Sequence, residues 1–179
     1  MNWVHRCITC LYFVIFSMAS MTLNAQAQPA QQSDPSPSKE MKIYAAYISH
    51  FIQLIDWPRK TNHSNTIIFC TDAATSFIDF FQQLQLSKNA HSHEITISNS
   101  IAYPDCNLVF LTRPTIQMLP PSRTRIIISI NYQQVHPNTL ITFSKKANTI
   151  QYEINITELQ KLDISLPAEI LRLAGSIKR

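Results

Sequence analysis

The side chains in this sequence that could do chemistry are few, and their spacing is informative mainly by what it excludes. Six histidines and four cysteines are present. His91-Ser-His93 could present two imidazoles on one side of an extended segment, as a metal-binding pair does, with Glu94 adjacent. No cysteine or patterned carboxylate accompanies them, and a zinc site needs three or four protein ligands. The segment therefore reads as a polar loop between a helix and a strand. His50 falls between apolar positions of a helix and reads as a structural residue at the core edge. His63 and His136 sit in loops with no catalytic partner nearby in sequence. Asp72, Asp79 and Asp105 could in principle supply a carboxylate pair, but isolated acids at these spacings cap helices or face solvent. No catalytic, metal or cofactor residue is assigned.

Glycine usage narrows the function classes further. The single glycine is Gly175, where average usage of about 7% would give roughly a dozen. A glycine-rich phosphate loop cannot be built, which argues against a nucleotide site of the Rossmann or P-loop kind. A G-x-S-x-G nucleophile elbow is missing as well. The formal net charge is +4, and the basic residues are scattered. Lys145-Lys146 and Arg123/Arg125 are short local pairs that read as solvated surface, not as a nucleic-acid footprint.

The elements that would position these residues follow from hydrophobic periodicity. Ile43, Tyr47, Phe51 and Ile55, with Tyr44, Ile48 and Ile52 beside them, place a wide apolar stripe on one face of a helix. Pro58, after Trp57, stops it. Thr66 to Thr71 is a short buried strand. Phe77, Phe80, Phe81 and Leu84 mark a second helix face, and Glu94 to Ser98 alternates as a strand. Asn107 to Thr112 and Arg125 to Ile130 read as strands buried on both faces. A short helix is expected between Pro114 and Met118, and a strand over Leu140 to Ser144.

The C-terminal part is patterned differently. Ile150, Tyr152, Ile154 and Ile156 point one way, and Gln151, Glu153 and Asn155 the other. This strand should be buried on one face only, late or at an edge of the sheet. A short helix, Thr157 to Lys161, follows. Pro167 to Ile177 should close the chain as a helix, with Ile170, Leu173, Ala174 and Ile177 on one face. Strands alternating with helices predict one α/β domain, a sandwich with a mostly parallel central sheet and helices on both faces.

The N-terminus reads as an export signal. His5 and Arg6 form a short basic lead, Cys7 to Met21 is an uncharged apolar run, and Ala25-Gln26-Ala27 offers a peptidase site with cleavage after Ala27. The run is short for a bilayer span, which needs about 20 apolar residues. Cys7 and Cys10 would leave with it. Residues 28–40, rich in Gln, Pro and Ser, read as a disordered linker. The folded domain is then 41–179.

The aromatic first helix closing on Trp57-Pro58, just after an export signal, resembles the YfiR-like family of periplasmic proteins. Ile67-Ile-Phe-Cys70 is similar to the family's first strand, and Asp105-Cys106-Asn107-Leu-Val-Phe-Leu111 to its cysteine-led strand. Tyr152-Glu-Ile-Asn155, Leu162-Asp-Ile-Ser165 and Leu171-Arg-Leu-Ala174 resemble the elements that end the family domain. Two departures stand out. Thr71-Asp72 and His136-Pro-Asn-Thr139 occupy places where the family often carries glycine.

The resemblance implies a non-enzymatic periplasmic repressor of a membrane-bound diguanylate cyclase. Binding to that enzyme's periplasmic sensor part would lower cyclic di-GMP synthesis, without a cofactor, and a homodimer is compatible with it. A periplasmic small-ligand-binding module reporting to a kinase or transporter is the alternative. The outward residues Gln151, Glu153 and Asn155, with Leu159 in the short helix after them, are the expected partner surface. Cys70 and Cys106 are the two cysteines left after signal removal. They match the family's cysteine positions and are expected to form a disulfide in an oxidising compartment. If their strands were parallel and in register, the Cα atoms would lie beyond bridging range. The bond therefore needs a stagger between strands, or Cys106 in a loop crossing the end of the first. It could be structural or a redox input.

Overall fold

Ser38 opens the first helix, α1 (Lys39–Leu54): its hydroxyl accepts the Met41 N–H at 3.2 Å, and Glu40 lies in the first turn, where the helix dipole favours a carboxylate. The structure is a computed structural model that describes residues 36–58, 66–87, 93–102, 104–114, 119, 121–130 and 136–179. The start of α1 makes the last two residues of the segment read as linker helical. Tyr44, Ala45, Ile48, Phe51 and Ile52 are buried, as the stripe predicts. The helix ends at Leu54, before Pro58. Trp57 folds back and its indole N–H donates to the Ile52 carbonyl at 3.0 Å, satisfying an acceptor that the helix end leaves open.

Then follow β1 (Thr66–Thr71), α2 (Thr75–Leu86), β2 (Glu94–Ser98), β3 (Leu108–Leu111), β4 (Ile126–Ile130), β5 (Ile141–Lys146), β6 (Thr149–Asn155), α3 (Ile156–Leu159), α4 (Ala168–Leu173) and β7 (Ser176–Lys178). They build one sheet in the order β2-β1-β3-β4-β5-β6-β7. All neighbouring pairs are parallel except the β5–β6 hairpin. This is the mostly parallel α/β fold that the alternation of elements predicts. At the hairpin, Ala147 takes φ 52°, the left-handed region in which a Cβ is unfavourable.

One face of the sheet carries the main core. Phe69, Phe110, Phe143 and Tyr152 project from β1, β3, β5 and β6 against Tyr44 and Phe51 of α1 and Phe77 and Phe81 of α2. Phe143 sits at the centre, 4.9 Å from the Tyr44 ring and stacked on Phe51 at 6.3 Å. Ile170 of α4 joins the same cluster. On the opposite side, Cys70, Val109, Leu111 and Ile127 form a smaller cluster with Cys106 and Leu119. Among the described residues that side is closed by loops. The helix expected between Pro114 and Met118 falls on residues 115–118, outside the described residues.

Three local expectations are corrected. The closing helix stops at Leu173, four residues short, and Ser176–Lys178 is a strand parallel to β6. Leu173 and Ile177 are exposed at 55% and 48%, so they do not share a buried face with Ile170. The cause lies at Gly175, whose N–H donates to the Tyr152 carbonyl at 2.8 Å. A Cβ there would stand 2.9 Å from Gln151 Oε1, so the one glycine is used where the chain passes closest to β6. In consequence β6 is not the edge strand; β7 covers it. The third correction concerns Arg125. It is buried, and its guanidinium donates to the carbonyls of Cys106 and Pro104 at 3.2 and 2.6 Å. Burial lowers its pKa, with Asp105 opposing that shift.

Candidate functional site

Polar alternation on the hairpin produces the surface of greatest interest. Thr142 pairs with Glu153, Ser144 with Gln151, and Glu153 in turn with Ser176 of β7. Directly paired residues share a sheet face, so these side chains form one polar layer opposite the aromatic core. It is concave, about 510 Å³, and among the described residues the smaller apolar cluster on this side of the sheet extends only as far as β4. Gln151, Glu153 and Asn155 all line the concavity. Glu153 accepts from the Ser176 hydroxyl at 2.9 Å. Asn155 Oδ1 caps α3 by accepting the Glu158 N–H at 3.3 Å.

Leu159 does not belong to this surface. It is half-buried and packs against the main core. The one-turn helix α3 turns it inward, so it is not an exposed apolar anchor. Sequence reasoning missed His136, Thr139, Lys146 and Lys178, which line the same concavity. Thr142 and Ser144 were legible, because alternation within Leu140–Ser144 already sets them on the face opposite Ile141 and Phe143. Lys178 was hidden by the expectation of a helix through Ile177.

A second, larger cleft of about 1150 Å³ opens at the C-terminal ends of β1, β2 and β3. It lies where the strand order reverses about β1, the usual ligand crevice of open α/β sheets. Asp72 lines it, but its carboxylate is engaged: Oδ1 accepts the Thr112 N–H and hydroxyl at 2.6 and 3.0 Å. Oδ2 lies 3.5 Å from Arg113 Nε. Thr71 donates to the Phe110 carbonyl and accepts the Ala73 N–H. Side chains thus hold the turn at Thr71-Asp72 where relatives often use glycine. The turn before β5 is held likewise, by the Asn138 N–H donating to His136 Nδ1 at 3.3 Å. Asp79 and Asp105 are exposed and do not line the cleft with Asp72.

The remaining titratable groups are structural. His50 and Glu169 meet at 3.4 Å with both side chains about half exposed, a surface polar contact joining α1 to α4. His93 is half-buried, while His63 and His91 lie outside the described residues. Among the described residues no group of three or more His, Cys, Asp or Glu could hold a metal. The Tyr152 hydroxyl is buried and donates to the Ile170 carbonyl at 2.7 Å; burial pushes its pKa up to about 12.

Cys70 and Cys106 are disulfide-bonded with Cα atoms 5.9 Å apart. Cys70 pairs in register with Val109, so Cys106 lies ahead of β3, in the loop. The loop is pinned by Asn107, whose N–H donates to the Ile68 carbonyl and whose Oδ1 accepts the Ile68 N–H, both at 2.9 Å. That arrangement removes the in-register obstacle to the bond.

Among the described residues, fold and surface define a single α/β domain whose helices pack on one side of a mostly parallel sheet, not on both faces as the sequence pattern predicts, with a hairpin's polar face on the other. The YfiR/HmsC-like family model matches residues 41–175, and the chain belongs to that family. No curated protein matches it significantly.

Proposed function

We propose that this protein is a periplasmic regulator that binds the periplasmic sensor part of an inner-membrane diguanylate cyclase and holds the enzyme inactive. Membership of the YfiR/HmsC-like family over residues 41–175 carries this reading. Members of that family are regulators rather than enzymes. The mechanism is a population shift: the protein binds the inactive cyclase more tightly than the active one, and its release raises cyclic di-GMP. To move the cyclase from mostly active to mostly inactive, the preference must reach about 10⁴-fold. Export fits this role: residues 1–27 act as a cleaved signal and residues 28–38 as a linker to α1. Among the described residues no helix is long and apolar enough to cross a membrane.

The partner contact is assigned to the polar face of β6, with Gln151 and Glu153 at its centre. Leu159 is left out because it supports the core. Co-purification from solubilised membranes tests the function. A membrane cyclase should be recovered with the wild-type protein and lost with Glu153→Lys, and cyclic di-GMP should rise in a deletion strain. Unchanged cyclic di-GMP on deletion and on overexpression would refute regulation. A second reading, a small-ligand-binding module reporting to a kinase or transporter, draws on the 1150 Å³ cleft at the strand ends.

A further inference from the structure

Leu86, Leu173 and Ile177 are the large apolar side chains exposed among the described residues, and two of them belong to one corner of the fold. Leu173 ends α4 at 55% exposed, and Ile177 is the middle residue of β7 at 48%. β7 is the last strand of the sheet, so no described strand pairs with its outer side. Such an edge presents unpaired N–H and C=O groups, a template for another strand. The register sets the two sides of that template. Ile177 pairs with Ile154, and directly paired residues share a face, so Ile177 stands on the face that carries the aromatic core. Lys178 pairs with Asn155 and stands on the polar face. Ile154, one strand further in, is 0% exposed, whereas Ile177 has the sheet on one side only.

The charge of this corner is one-sided. Arg172, Lys178 and Arg179 are exposed, and residues 172–179 contain no acid. No ion pair engages any of these three cations among the described residues. Glu153, paired with Ser176 across β6, is occupied in accepting from its hydroxyl. Lysine on a short edge strand hinders pairing with a second copy of the same edge, because the cations would meet. It does not hinder a strand of opposite charge. Blunting of the edge also leaves Ile177, apolar and half exposed at the centre of the strand, without a purpose.

We propose that β7 is a docking edge for an extended acidic segment of another protein, which joins the sheet as a further strand. The segment alternates apolar residues with aspartate or glutamate. Its apolar side chains cover Ile177 on the core side, and its carboxylates meet Lys178 on the polar side. Main-chain hydrogen bonds to the open edge hold it in register, as in other strand additions. The edge assumes nothing about the cyclase, although it borders the polar face assigned to that partner, and it is tested on the purified protein.

The probe is a short peptide, blocked at both ends, that alternates aspartate with valine. In calorimetry it should bind at least about tenfold more tightly than the same peptide with lysine for aspartate or with serine for valine. Two versions N-methylated at alternate residues each block one edge of the peptide, and one of them should lose binding. Ile177→Asp should weaken binding at least about tenfold, and Lys178→Glu should narrow the preference for aspartate over lysine at least about fivefold. Both variants should melt as the wild type does, since both side chains are exposed. No binding of the parent peptide would overturn the proposal. So would unchanged binding by Ile177→Asp, or binding of both N-methylated versions as tight as that of the parent. Self-association of the protein that Ile177→Asp abolishes would give the edge to a second copy and overturn it as well.

Discussion

Removing the Cys70–Cys106 bond should destabilise the domain without changing its fold, and the size of the loss can be worked from the chain. The cysteines are separated by 36 residues in sequence. For a loop of that length the chain-entropy relation gives about 4 kcal/mol at 25 °C. The cysteines are 0% and 4% exposed within an apolar cluster, so their replacement matters too. Cys70→Ala/Cys106→Ala leaves small apolar groups in small apolar places, and its cost should stay near the entropic figure. Cys70→Ser/Cys106→Ser buries two hydroxyls and should cost about 1–3 kcal/mol more. In a domain of this size 4 kcal/mol lowers the melting temperature by roughly 12–16 °C. The effect should concentrate on the loop that carries Cys106, which Arg125 and Asn107 still tether. Urea melts of oxidised, reduced and double-alanine protein, with thiol counts by mass after alkylation, provide the assay. The reasoning fails if reduction leaves the midpoint unchanged, or if protein taken from the periplasm carries two free thiols.

Tyr152→Phe loses a buried hydrogen bond to Ile170 and strands that carbonyl, for a cost of about 1–2 kcal/mol in urea melts. The wild type should also lose stability between pH 10 and 12, where the unfolded chain has released the Tyr152 proton and the native chain still holds it. The difference between wild type and Tyr152→Phe isolates that slope. Asn107→Leu removes both side-chain support for β3 and the acceptor for the Ile68 N–H, and should cost about 1–3 kcal/mol. Ala147→Gly should stabilise by about 0.5–1 kcal/mol, because φ 52° suits glycine, whereas Ala147→Val should destabilise. If both variants melt as the wild type does, the hairpin carries no strain at that residue.

Much of the fold was legible because local spacing dictates which side of an element is apolar. The stripe of α1 needed only its own residues, and so did β3 and β4, apolar but for Ser129, whose composition demands a sheet covered on both faces. The alternation of β6 set Gln151, Glu153 and Asn155 apart from Tyr152 and Ile154 before any partner strand was known. Cysteine count and compartment together pointed to the disulfide. What spacing could not settle was anything decided by a distant element. Residues 167–177 satisfy a helical period, yet an unpaired β6 edge and the glycine that lets the chain approach it drew Ser176–Lys178 into the sheet. Arg125 looks like a surface cation until the loop carbonyls it holds close over it. Leu159 turns inward because a one-turn helix, capped by Asn155, folds against the core. The polar concavity joins residues from the loop before β5 with β5, β6 and β7. Only tertiary structure could bring Thr142 opposite Glu153 and Ser176 beside it, since pairing across a sheet obeys register and not sequence distance.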